Sequence, residues 1–125
     1  AGAPEVVFWG SGRQRRQFLF VEDLAGAAID VMNSSARALR SWAPVLNVAG
    51  EPARPLADVA QLVADVVGYA GRVRWDANRP EGAPSKEIMD KRGPGVFVRP
   101  LRDGVKRTYE WYQVGLAHLP SGENP

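Results

Sequence analysis

Cysteine is absent from the 125 residues, and histidine occurs once, at His118. Disulfides and thiolate metal centres are thereby excluded, and a lone imidazole makes no histidine cluster, so no metal site is expected. Long hydrophobic runs are missing as well. No stretch approaches the ~20 apolar residues that span a bilayer, and no basic-plus-apolar leader opens the chain. A cytoplasmic protein is the expectation. Lysine is scarce, three residues against thirteen arginines. With a net charge of +2 and a pI near 9.3, nucleic-acid binding stays open, although a codon bias toward arginine accounts for the same excess. Internal repeats and low-complexity linkers are also lacking.

What is present fits one domain. An apolar fraction of 45% and a charged fraction of 24% are those of a folded globular chain. Such a length buries roughly two-thirds of its unfolded surface around a single modest core. The chain opens on Ala1 rather than Met, and a processed or excised piece is therefore expected.

The stretch from Val6 to Val21 organises the reading. Two short Val- and Phe-rich runs, Val6-Val7-Phe8-Trp9 and Phe18-Leu19-Phe20-Val21, read as strands. Between them stand Gly10-Ser11-Gly12 and three arginines, Arg13, Arg15 and Arg16. Glycine lets backbone approach a ligand closely, and guanidinium forks match phosphate oxygens two at a time, so the stretch reads as an anion site.

Beyond it, Glu22-Asp23 opens a helix to about Met32, the acids serving as cap and dipole partners rather than as an acid-base pair. Leu24, Ala28, Val31 and Met32 recur at helical spacing and are expected to face a sheet. Ala36 to Trp42 reads as a further helical turn or two, and Val45-Leu46-Asn47-Val48 as a short buried strand. Leu56, Val59, Ala60, Val63, Val66 and Val67 form the clearest helical stripe, started by Pro55 and stopped by Gly68, and are read as core. Gly71 to Asp76 alternates as a half-exposed strand does. Ala77 to Lys86 reads as a loop stiffened by Pro80 and Pro84, in which Arg79, Glu81 and Lys86 are placed to meet a ligand. Ile88-Met89 extends briefly, Lys91 to Gly95 is irregular, and Pro100-Leu101 opens the last helix. On that helix Tyr109, Trp111 and Tyr112 are expected to pack against the sheet, the alternative being a base-stacking platform. The fold class is α+β: small mixed sheets of short strands packed by about three helices.

The run Trp9-Gly10-Ser11-Gly12, then Arg16-Gln17-Phe18-Leu19-Phe20-Val21-Glu22-Asp23-Leu24-Ala25, resembles extended short-chain dehydrogenases/reductases that act on nucleotide sugars. The resemblance continues through Val66-Val67-Gly68-Tyr69, Gly71 to Asp76, Arg79 to Lys86 and Thr108-Tyr109-Glu110-Trp111-Tyr112. Gly68-Tyr69-Ala70-Gly71-Arg72-Val73 with the Pro80-Glu81-Gly82-Ala83-Pro84-Ser85-Lys86 loop favours the fucose synthase branch. That branch converts GDP-4-keto-6-deoxymannose to GDP-fucose with NADPH.

The resemblance implies a nucleotide-sugar-binding C-terminal domain over 1–115, a flexible tail over 116–125, and a Rossmann domain upstream that holds NADP. It also implies three substrate-binding residues. Arg16 matches the arginine that grips the diphosphate, Trp9 lines the substrate pocket, and Lys86 lies on the loop that closes over the nucleotide sugar. The family's Tyr-x-x-x-Lys pair and glycine-rich dinucleotide loop do not occur here, so the chain alone is not expected to transfer hydride. Between Asp90 and Leu101 it is shorter than the family pattern, which implies that a small helix is lost. Phe20 stands where His or Tyr is usual, and Pro55 where Thr is usual. A substrate lobe without its companion exposes apolar surface, so a homo-oligomer is expected. The alternative is a stand-alone, non-enzymatic module that binds nucleotides, a partner protein or nucleic acid through Arg13, Arg15 and Arg16.

Overall fold

The computed structural model describes residues 4–42, 45–88 and 98–117. Strand β1 (Glu5–Trp9) pairs in parallel with β4 (Arg72–Asp76), Val6 opposite Val73 and Phe8 opposite Trp75. Alternation along each strand puts those four residues on one face and Val7, Trp9, Arg74 and Asp76 on the other. Phe8 and Trp75 stack with centroids 5.1 Å apart. A second sheet has the order β3-β2-β5, in which β2 (Arg15–Arg16) pairs antiparallel with β3 (Arg54–Pro55) and parallel with β5 (Ser85–Lys86). With helices α1 (Val21–Met32), α2 (Ala36–Ser41), α3 (Leu56–Val67) and α4 (Leu101–Ala117), this is the expected mixture of small mixed sheets and helices.

Helix α3 begins after Pro55 and ends at Gly68, whose φ of 69° makes the left-handed cap. It packs against α4 and against β3. Val6, Phe8, Ala60, Val63 and Val73 close around the space between α3 and the first sheet. The core is built of small side chains: Ala27, Ala49, Ala53, Val59 and Ala64 are its buried apolar residues among those described.

Four expectations are corrected. Phe18 to Phe20 is not a strand, and Val21 already begins α1; the ladder partners of β2 are taken up at Arg15 and Arg16. Val45 to Val48 likewise lacks a ladder partner and is irregular. Of the residues expected to bury α1, Leu24, Ala28 and Met32 are exposed and only Val31 is half-buried, whereas Asp23 and Ala27 are buried. The buried Asp23 is bonded to Arg99, so the face of α1 that turns inward carries a polar anchor. Tyr109 and Tyr112 belong to a helix that packs on α3 rather than on a sheet. Helix α4 ends at Ala117. Met89, the segment from Lys91 to Gly95, the shortened stretch after Asp90 and the tail from His118 lie outside the described residues.

Candidate functional site

Strand β1 ends at Trp9, and the chain turns at once. Gly10 donates its amide to the Asp76 carbonyl (2.9 Å), which holds the turn to the end of β4. Gly10 and Gly12 have φ of 87° and 73°, a region that L side chains rarely adopt. A Cβ on Gly12 would also lie 2.7 Å from the Trp75 ring. The turn then delivers its carbonyls to a helix start: Ala57 donates to Gly12 and Leu56 to Gln14, each at 2.9 Å. Gln14 is 5% exposed, and its Oε1 has no partner among the described residues.

The segment after β4 follows this turn along its length. Arg79 pairs with Asp76 at 3.6 Å and lies over the Trp9 ring, 5.4 Å from its centroid. Glu81 accepts from the amide of Ser11 (3.0 Å) and from the Ser11 hydroxyl. Those two bonds, the hydroxyl first, together with the nearby Arg13 guanidinium, hold the Glu81 carboxyl below the usual carboxylate range. The Pro84 carbonyl then accepts from the Arg15 amide at 2.8 Å, and Ser85–Lys86 joins the sheet as β5. What reads as a loop to its end therefore finishes as a strand.

The three residues singled out as substrate contacts occupy different points on this arrangement. Arg16, half-buried on the central strand, donates through Nη1 to the carbonyls of Ala83 (2.9 Å) and Arg15 (2.7 Å). Its Nε and Nη2 donate to nothing among the described residues. A Cβ at Gly82 would come within 3.2 Å of Nη2, so the bare glycine leaves room beside the guanidinium. Lys86 is the register partner of Arg16 on β5 and is exposed. Trp9 is 62% exposed at the other end of the same segment, engaged with Arg79.

Arg13, Arg15 and Arg16 do not act as one patch. Arg13 turns to the Ser11 hydroxyl, with Nε at 3.4 Å, and Arg15 reaches the Ala53 carbonyl on the other side of the strand. Arg15 is thus a tether between β2 and the approach to β3. The Ser11–Glu81 clasp was not foreseen from the sequence, and the Glu81 position in Pro80-Glu81-Gly82 was its only visible sign.

Residues 1–49 match the NAD dependent epimerase/dehydratase family. The chain is 35% identical over 114 residues to GDP-L-fucose synthase 1 of Arabidopsis thaliana, covering 89% of this chain and 34% of that protein. It is 38% identical over 117 residues to GDP-L-fucose synthase of Escherichia coli K12, covering 88% and 36%. Its fold matches a GDP-L-fucose synthetase from Naegleria fowleri bound to NADP, with a TM-score of 0.72 at 21% identity over 91% of this chain and 36% of that one. The chain thus spans about a third of the length of these relatives.

The Gly10–Gly12 turn does not fit NADP. A dinucleotide pyrophosphate sits on free amides where a glycine-rich turn enters a helix. Here the turn enters β2, and the first amides of α3 are already bonded to the turn's own carbonyls.

Proposed function

We propose, from the homology of this chain to a segment of the NAD dependent epimerase/dehydratase family and of its GDP-L-fucose synthases, that it forms the substrate-binding portion of an NADP-dependent nucleotide-sugar epimerase/reductase. The substrate is of the GDP-4-keto-6-deoxymannose type, and NADP with the hydride-transfer groups belongs to a domain outside this sequence. A cytoplasmic setting is part of the same proposal. Among the described residues no helix is long and apolar enough to cross a membrane.

The observation that carries this reading is the pairing of Arg16 and Lys86 on adjacent strands. A diphosphate concentrates negative charge, and a guanidinium with two open nitrogens beside an ammonium supplies a fork and a point charge. Trp9 offers a ring face to the sugar at the far end of the segment. The same chain is proposed to self-associate through its exposed apolar surface.

Calorimetric titration with GDP and UDP tests the reading. Arg16→Ala is expected to weaken binding about tenfold to a hundredfold, the loss of a hydrogen bond to a charged group. Failure to bind any nucleoside diphosphate, even with the companion domain supplied, contradicts it.

A further inference from the structure

Arg16 has two register partners, Lys86 on β5 and Arg54 on β3. Residues directly opposite in a sheet project to the same face, so three cationic side chains from three strands stand in one row. Like charges placed opposite one another destabilise a sheet. Compensation within the chain is small. Neither Arg16 nor Lys86 has a carboxylate within ion-pair reach among the described residues. Glu51 reaches Arg54 at 3.4 Å, but the same oxygen accepts the Leu101 amide at 2.9 Å. Glu87, adjacent to Lys86, is turned to the Ala53 amide at 3.2 Å.

We propose that Arg54 is a third anion-binding residue of this site, so that the row Arg54–Arg16–Lys86 seats the diphosphate of a nucleoside diphosphate across three strands. The assignment rests on the substrate-binding reading above and extends it to a residue on the third strand of that sheet, beyond the three that the resemblance implies. Arg54 qualifies where the other arginines do not. Arg15 projects to the opposite face and is tied to the Ala53 carbonyl, Arg13 is folded onto Ser11, and Arg79 is no register partner of Arg16 and lies over the Trp9 ring. A diphosphate bridging the row neutralises the mutual repulsion, and that gain adds to its affinity.

The test is calorimetric titration of the 125-residue chain with GDP and with inorganic pyrophosphate, at two salt concentrations. Arg54→Gln is expected to weaken both ligands about fivefold and to flatten the salt dependence, while Arg54→Lys keeps most of the affinity. Arg72→Gln, on the exposed edge of β4, is expected to change neither. Circular dichroism of each variant establishes that it is folded. Wild-type affinity in Arg54→Gln, with Arg16→Ala impaired, overturns the role of Arg54 and leaves the substrate-binding reading standing. Equal losses in Arg54→Gln and Arg72→Gln reduce the effect to net charge and also overturn it. Absence of binding of GDP and UDP to the wild-type chain, even with the companion domain supplied, overturns both.

Discussion

At the scale of single residues, the site depends on a carboxylate that touches no proposed ligand. Glu81 clasps Ser11 and thereby holds the segment leading to Lys86 against the glycine turn. The folded-state pKa of Glu81 lies below its ordinary value, so the clasp contributes stability above the usual glutamate range and loses it as pH falls through the lowered value. In an NMR titration of the side-chain carboxyl, Glu81 is expected to titrate below the ordinary glutamate range. In Ser11→Ala its midpoint should rise toward the ordinary range, because the hydroxyl bond and the hydroxyl's hold on Arg13 are removed while the backbone amide still donates to the carboxylate. An unchanged midpoint would show that the hydroxyl does not hold the charge. Arg16 and Lys86 were readable as candidates from the family pattern, but their adjacency was not. They are 70 positions apart and meet only through the parallel pairing of two strands of two residues each.

At the scale of elements, α1 shows how polar contacts anchor the start of a helix. Glu22 and Asp23 are in its first turn, as an acidic pair at a helix start should be. Neither caps the helix. The Asp23 carboxylate accepts the Arg99 amide at 2.7 Å and pairs with its guanidinium at 3.6 Å, while Glu22 joins Arg99 (3.3 Å) to Arg107 (3.2 Å) on α4. Arg99 also covers the Phe20 ring, 4.8 Å from its centroid. This cluster fastens the start of α1 to the entry of α4. Asp23→Ala leaves the Arg99 amide without its acceptor and removes one of the two carboxylates paired with the largely buried guanidinium, and about 2–3 kcal/mol of stability should be lost in urea unfolding. Asp23→Asn keeps one acceptor oxygen and should lose less; equal losses would argue that the contact is purely one of packing.

For the molecule as a whole, the core is too thin to hide the apolar side chains. Val21 and Met32 on α1 are 70% and 82% exposed, and Trp111 on α4 is 74% exposed. An apolar hollow of about 430 Å³ lies between α3, α4 and the Phe18–Phe20 segment, away from Trp9, Arg16 and Lys86. Apolar surface of this kind is covered by association. Light scattering is expected to show a dimer or larger species that grows with concentration, and Ile29→Lys combined with Met32→Lys should shift it toward monomer. A strictly monomeric chain at high concentration would contradict self-association.

The amino-acid sequence by itself determined the helices, because their signals are local: the valine stripe and Gly68 for α3, the acidic start for α1, Pro100-Leu101 for α4. It also determined the glycine turn, since Gly10 and Gly12 meet a backbone requirement a few residues long. Only the tertiary structure decided which short segments become strands. Arg15–Arg16, Arg54–Pro55 and Ser85–Lys86 have no strand pattern of their own and are extended because their backbone groups pair with one another. The same pairing narrowed the opening arginine cluster. Of Arg13, Arg15 and Arg16, only Arg16 stands on the face shared with Arg54 and Lys86, because side chains alternate along a strand and hydrogen bonds between strands fix which residues are opposite.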